Sequence, residues 1–183
     1  MRVILLIVII DILNALRALL FQPRIGNFAA FIVCVGMFGF ALFTQYVLLL
    51  APCPLCIFQR IALITLGCVF LLAAIHPAGR MGRRIYAVLL AVPALAGVGV
   101  AGRHVWLQNL PKDQVPACGP GLDFMVDTFP MLEVLNMVLS GSGECAEVVW
   151  RLLGLSMPSW VLICFLALGG WGVWLNWTNR QPA

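Results

Sequence analysis

Charge is what this sequence has least of. Asp, Glu, Lys and Arg make up 10% of its 183 residues, while 63% are hydrophobic and the mean hydropathy is +1.05. A soluble domain carries about 25% charged residues, so a water-soluble globular fold is excluded. Internal repeats and low-complexity tracts are also missing, which excludes solenoid, collagen-like and disordered chains. What remains is an integral membrane protein, at this length a single small helical bundle. The net charge of +4 is small and unevenly placed, so it signals orientation and not a nucleic-acid surface.

The few charges punctuate the chain. None falls between Arg24 and Arg60, Arg60 and Arg80, Arg84 and Arg103, or Arg151 and Arg180. Each gap is long enough to cross a hydrocarbon core of about 30 Å as a helix. Four spans are expected, at about 28–50, 57–76, 84–102 and 158–178. They must be helices, because the bilayer offers no water to satisfy the backbone. Small residues in the third span (Ala91, Ala94, Ala96, Gly97, Gly99, Ala101, Gly102) and the fourth (Ala167, Gly169, Gly170, Gly172) are expected to face the bundle interior. Trp160, Trp171, Trp174 and Trp177 bracket the fourth span as interfacial anchors.

Basic residues orient the bundle. Arg2, Arg17, Arg24, Arg80, Arg83, Arg84 and Arg180 fall on one side; Arg60, Arg103, Lys112 and Arg151 fall on the other, beside six of the seven acidic residues. The positive-inside rule puts both termini in the cytoplasm and the loops 51–56 and 103–157 on the exported side. The apolar run 3–10 is interrupted by Asp11, Asn14 and Arg17, and no A-x-A-like cleavage site follows. Residues 1–26 are therefore expected to form an extension at the cytoplasmic face, residues 27–178 the four-helix domain, and 179–183 a cytoplasmic tail.

Depth and side sort the seven cysteines. Cys34, Cys68 and Cys164 lie within spans, where a thiol behaves as a small apolar side chain. Cys53 and Cys56 share the short exported loop, and Cys118 and Cys145 the long one. Two cysteines in each loop on an oxidising face lead to the expectation of two disulfides. C-x-x-C on its own also fits half a zinc site. Cys56 opens the second span, where the positive end of the helix dipole stabilises a thiolate. Arg60, four residues on, shares its helical face and adds positive charge, unless it merely snorkels to the interface. Pro52 and Pro54 stiffen the turn beside the bilayer, where a lipid-soluble oxidant could reach the sulfurs.

Cys118 sits in the irregular run Val115-Pro116-Ala117-Cys118-Gly119-Pro120-Gly121, separated from Cys145 by 26 residues. A disulfide there is suited to exchange with another protein, or serves as a structural staple. The apolar stretch from Val148 to Leu155 is expected to be an interfacial helix that keeps Cys145 within reach of Cys53.

Taken together, the sequence resembles the disulfide bond formation protein B (DsbB) family of bacterial inner membranes. The matching residues are Gln45, Pro52-Cys53-Pro54-Leu55-Cys56-Ile57-Phe58-Gln59-Arg60, His104 with Leu107-Gln108, Cys118, Gly143-Glu144-Cys145-Ala146-Glu147, and Leu153-Gly154-Leu155-Ser156-Met157-Pro158-Ser159-Trp160. The resemblance covers about residues 27–178; nothing is carried onto the first 26. It implies an all-α, four-helix membrane bundle with a short and a long periplasmic loop. It also implies an enzyme, a protein-dithiol:quinone oxidoreductase that reoxidises a periplasmic DsbA-type thioredoxin-fold oxidase.

Under that resemblance the disulfides are Cys53–Cys56 and Cys118–Cys145. Cys118 takes the partner, Cys145 then attacks Cys53, and Cys56 becomes the thiolate facing the quinone. Arg60, His104 and Gln45 are expected near a membrane quinone, ubiquinone ahead of menaquinone; for His104 the plain alternative is an interfacial histidine at a helix end. A DsbA-type partner lies near about −120 mV, beyond efficient oxidation by glutathione, so a quinone acceptor supplies driving force. Two other readings compete. A vitamin K epoxide reductase-like enzyme would run electrons the other way, although the loop pattern fits the oxidase better. A non-enzymatic tetrathiolate metal protein would use Cys53, Cys56, Cys118 and Cys145. The spans lack the acidic residues of an ion path.

Overall fold

A computed structural model describes residues 21–76, 78–111, 113–116, 122–148 and 150–178. Four long helices dominate: α1 (Pro23–Tyr46), α2 (Pro54–Ile75), α3 (Arg80–Gln108) and α7 (Met157–Thr178). At 1.5 Å rise per residue, the shortest of them, 22 residues, reaches about 33 Å, enough to cross a bilayer core. All four are apolar enough to do so. Successive helices run antiparallel and pack α1 on α2, α2 on α3, and most extensively α3 on α7.

Between α3 and α7 the chain forms three short helices, α4 (Leu122–Thr128), α5 (Met131–Ser140) and α6 (Gly143–Ala146). A two-stranded hairpin follows, β1 (Arg151–Leu152) against β2 (Leu155–Ser156), with Arg151 opposite Ser156. Its turn residues Leu153 and Gly154 both have positive φ, 52° and 82°, as a two-residue primed turn requires. The Trp160 indole donates to the Leu152 carbonyl at 3.1 Å and pins the hairpin to α7.

Three expectations from the sequence are corrected here. The first span runs 23–46 and not 28–50, because Pro23 starts a helix without needing an amide donor. The third continues to Gln108, past the expected end at 102, so Arg103 and His104 belong to α3 and not to the loop. The expected helix over 148–155 does not form, because the Leu153-Gly154 turn folds that stretch into the hairpin. The amphipathic helix of this region is α5, upstream of Cys145. Its Val134 and Val138 are buried, while Met131 and Leu132 are about 70% exposed on the outer face.

Arg103 explains how α3 can outrun its own charge. Its Nε and Nη2 donate at 2.9 Å to the Leu139 and Ser140 carbonyls, and its guanidinium lies 4.1 Å from the Trp106 ring centre. It thus satisfies the last turn of α5 and clamps it on α3. Gly141 then leaves the helix at φ 87°, and a Cβ there would meet Leu107 Cδ1 at 2.4 Å.

The bundle core contains Leu66 and Phe70 of α2, Leu90 and Ala94 of α3, and Phe165 of α7. Of the small residues, Ala94, Gly97, Ala101, Gly169 and Gly172 face inward, whereas Ala96, Gly99, Ala167 and Gly170 are exposed, because only one face of each helix meets a neighbour. A Cβ on Gly97 would strike the Phe165 ring at 2.4 Å, and one on Gly169 would meet Ala94 Cβ at 2.6 Å. Without a hydrophobic drive between helices in lipid, such close approach is what holds α3 to α7. Cys34 is buried in this core, Cys164 is half-buried and Cys68 faces outward.

A polar contact joins the first and last of the long helices through the apolar interior. Asn27 of α1 and Asn176 of α7, both buried, exchange side-chain hydrogen bonds at 3.2 and 3.0 Å, and Asn176 also donates to the Gly172 carbonyl at 2.8 Å. Such pairs contribute about 0.6–1.7 kcal/mol within a bilayer. Asn27→Leu should therefore destabilise the bundle by about 1 kcal/mol, with Asn27→Leu/Asn176→Leu well short of the sum of the two single changes. Unfolding of the purified variants in mixed detergent measures this; additive losses would mean that the two amides are not coupled.

Candidate functional site

The site grows from the start of α2. Pro52 and Pro54 hold Cys53 in an extended conformation (φ −70°, ψ 162°), and Cys53 caps the helix, its Sγ accepting the Cys56 N–H at 3.3 Å. One turn in, Cys56 returns toward it: Cys53 Sγ donates to Cys56 Sγ at 2.9 Å. A bond of about 2.05 Å needs only a small adjustment of two side chains already facing each other.

Cys145 approaches from the other direction. Its backbone N–H donates to the Ser142 carbonyl at 2.9 Å, and its Sγ lies 3.6 Å from Ser142 Oγ. Cys145 is 1% exposed and packs with Cys53, Leu55, Leu107, Met125, Val134 and Val138 in a second apolar cluster, beneath α5. Cys53 therefore stands between two thiols. Its hydrogen bonds to Cys145 and Cys56, together with burial, push its own thiol far up. The Cys145 thiol is pulled down to about 5, chiefly by the hydrogen bond it accepts from Cys53, with help from Ser142, against the opposing effect of burial. One proton held on the central sulfur leaves the outer one as a thiolate.

His104, buried on α3, faces the same sulfurs: its Nε2 lies 3.9 Å from Cys53 Sγ. Gln59, also buried, presents its Nε2 3.3 Å from His104 Nδ1, so Nδ1 accepts and the imidazole proton sits on Nε2, toward the thiols. Arg60 turns the other way. Its Nη1 donates to Gln45 Oε1 and its Nη2 to the Ala41 carbonyl at 2.9 Å, both on α1.

These groups converge on one cavity of about 500 Å³. Cys53, Cys56, Gln59, Arg60 and His104 line one part of it; Met37, Phe40, Leu63, Trp160 and Val161 supply apolar walls. Trp150, just before the hairpin, lies 6.3 Å from Phe40 between ring centres and closes one side, with Glu144 and Glu147 also on the lining. The cavity is of the size and mixed lining that takes a small planar apolar ligand carrying a few polar atoms.

Of the residues named from the sequence, Cys53, Cys56, Cys145 and His104 come together, and Arg60 with Gln45 lines or borders the same cavity. Cys118, and with it the expected Cys118–Cys145 disulfide, lies outside the described residues. The expectation that Arg60 pairs with Cys56 is not what the hydrogen bonds deliver: the guanidinium is taken up by α1, and it is His104 that comes within 3.9 Å of Cys53 Sγ. Sequence reasoning gave Gln59 no role. The signal was its place three residues after Cys56, one turn along the same face.

Residues 23–175 match the family model for disulfide bond formation protein DsbB. Among curated relatives, proteins named disulfide bond formation protein B are similar over most of both chains. The one from Nitrosococcus oceani is 53% identical over 147 residues, 80% of this chain and 87% of the relative. That from Chromobacterium violaceum is 50% identical over 148 residues (81% and 89%), and that from Hahella chejuensis 51% over 155 (85% and 93%). With four membrane-crossing helices and a C-x-x-C cap on the second, the chain belongs to the DsbB family of membrane proteins of disulfide bond formation.

Proposed function

We propose that this protein is a protein-dithiol:quinone oxidoreductase of the bacterial inner membrane, reoxidising a periplasmic DsbA-type oxidase and delivering the electrons to membrane quinone. The observation that carries the reading is the position of Cys53, 2.9 Å from Cys56 and packed in one buried cluster with Cys145. The orientation, with both termini cytoplasmic and residues 51–56 and 103–157 periplasmic, rests on the seven-to-four division of basic residues.

The thiol steps balance as exchanges. A partner thiolate attacks Cys118 of a Cys118–Cys145 disulfide, forming a mixed disulfide and releasing the Cys145 thiolate. That thiolate attacks Cys53 of a Cys53–Cys56 disulfide, forming Cys145–Cys53 and releasing the Cys56 thiolate. The partner's second thiol resolves the mixed disulfide and leaves oxidised. With Cys53 in the disulfide under attack, the hydrogen bonds from Ser142 and the Leu55 backbone still favour the Cys145 thiolate.

The Cys118 thiolate then attacks Cys145 of Cys145–Cys53, which restores Cys118–Cys145 and releases Cys53. Quinone is the two-electron acceptor: the Cys53/Cys56 dithiol gives up two electrons and two protons, yielding the quinol, as the Cys53–Cys56 disulfide re-forms. The cavity beside Cys56 fits the quinone, having apolar walls for a ring and the polar atoms of Gln59, Arg60 and His104 for its oxygens. Arg60, fixed by Gln45 and the Ala41 carbonyl, holds a positive charge at that wall. His104 presents its Nε2 proton to the sulfur side.

Three outcomes test the reading. Cys145→Ser, mixed with a partner lacking its resolving cysteine, should accumulate a covalent complex through Cys118 on a non-reducing gel; a complex through Cys53 would reverse the entry and exit pairs. Arg60→Ala should impair quinone reduction about tenfold, as a raised KM or a lower kcat, while the partner half-reaction stays nearly unchanged, and Arg60→Lys should lose less. Stopped-flow measurement of both half-reactions decides this, and normal quinone kinetics would reduce Arg60 to an anchor.

The third outcome concerns pH. In the fully reduced protein, the thiolate of Cys145 should persist as pH falls from 8 toward 6 and protonate only near about 5. Cys53→Ala removes the main stabilising hydrogen bond, so the titration should move up toward the ordinary thiol range near about 8.5. Thiolate absorbance of variants retaining Cys145 reads both, and an unshifted titration would remove Cys53 as the cause.

A further inference from the structure

We propose that the reduced protein binds one thiophilic divalent cation of the zinc and cadmium class through Cys53 Sγ, Cys56 Sγ and His104 Nε2. Bound there, the cation holds both sulfurs apart and blocks re-formation of the Cys53–Cys56 disulfide. The binding itself is independent of the quinone reading; only the consequence, inhibition of turnover, rests on it.

The geometry points to this ligand set and not to the four thiolates considered from the sequence. The three donor atoms lie within 4.8 Å of one another, with Cys53 Sγ 2.9 Å from Cys56 Sγ and 3.9 Å from His104 Nε2. A tetrahedral ion with bonds of about 2.3 Å to sulfur and 2.0 Å to nitrogen sets S···S near ~3.8 Å and S···N near ~3.5 Å. The sulfurs must separate by slightly under 1 Å, a change in two side-chain torsions at the first turn of α2. The histidine is already close to its place on α3.

Charge favours the same ion. Two thiolates, a neutral imidazole and a divalent cation sum to zero, which suits a buried site at the edge of an apolar bundle. Soft thiolate donors select such metals over magnesium or calcium. The fourth position opens on the cavity these residues line, so water completes the shell, as in three-ligand zinc sites. Gln59 supplies the outer contact. Coordination through Nε2 moves the imidazole proton to Nδ1, and rotation of the Gln59 amide by half a turn presents Oε1 to accept it. No electrons move. Two thiol protons are released as two metal–sulfur bonds form, and a disulfide between Cys53 and Cys56 removes both ligands.

The test uses the full chain in detergent, reduced and freed of reductant, titrated with Zn²⁺ against a chromophoric chelator and with Cd²⁺ by thiolate-to-metal absorbance. One cation per chain is expected, with Cys53 and Cys56 protected from alkylation in mapped peptides, and no binding after oxidation. Cys118→Ser/Cys145→Ser should bind as tightly as the parent. His104→Ala should bind about 100-fold more weakly and Gln59→Leu about 10-fold. Cys56→Ser, a smaller change than His104→Ala, should abolish the cadmium absorbance.

Binding that survives in Cys56→Ser, that is lost in Cys118→Ser/Cys145→Ser, or that is indifferent to His104→Ala would overturn the proposal. Zinc binding as described in a protein without quinone-linked thiol oxidation would leave this site standing and sink the proposed function. Quinone-linked oxidation with no zinc binding would do the reverse.

Discussion

Cys53 is shared between a helix and two sulfurs, and the arrangement around it depends on that sharing. As the cap of α2 it accepts the Cys56 N–H, which fixes the backbone of the turn and brings Cys56 back within 2.9 Å. The same residue packs in a buried cluster with Cys145, delivered by a different part of the chain. A capping serine would satisfy the helix equally well. Only sulfur at this position can cap the helix and also be the atom through which a disulfide passes from one neighbour to the other.

That contact survives only if the long connection is held down over the end of the bundle. Two devices achieve this. Arg103 takes the last carbonyls of α5 while stacking on Trp106, so a charge that would stop a membrane helix instead becomes a clamp. Gly141 then turns the chain where any Cβ would collide with Leu107, aiming α6 and Cys145 inward. Below this lid, close packing of Gly97 on Phe165 and Gly169 on Ala94 keeps α3 against α7, and so keeps His104 at a fixed height relative to α2.

The sequence was most legible where physics is one-dimensional. Gaps between charges marked four spans because each arginine in a bilayer must reach its edge, and the cysteine positions marked which end carries the chemistry. The boundaries were less legible, for reasons visible in single residues. Arg103 looked like the end of a helix because its acceptors, the Leu139 and Ser140 carbonyls, lie more than 30 residues away. The stretch after Cys145 looked amphipathic by composition, but Leu153 and Gly154 adopt positive φ and turn it into a hairpin. Arg60 at four residues from Cys56 looked like its partner, whereas Gln45 and the Ala41 carbonyl on another helix compete for the guanidinium and win.

The position of Arg60 shows why charge and sulfur are kept apart. A guanidinium in direct contact with Cys56 would hold that sulfur as a thiolate so firmly that it would be a poor nucleophile, since nucleophilicity falls as basicity falls. Anchored instead on α1, the charge faces the cavity, while His104 approaches the sulfurs from α3. In the reduced cluster the thiols are tuned mainly by one another, through the proton on Cys53. In the proposed exchange Cys53 stays in a disulfide, first with Cys56 and then with Cys145, so that donor is gone and the freed Cys145 thiolate relies on Ser142 and the Leu55 backbone. The mutual tuning therefore acts once Cys53 has been reduced, and a fixed charge beside the sulfurs would act in every state alike.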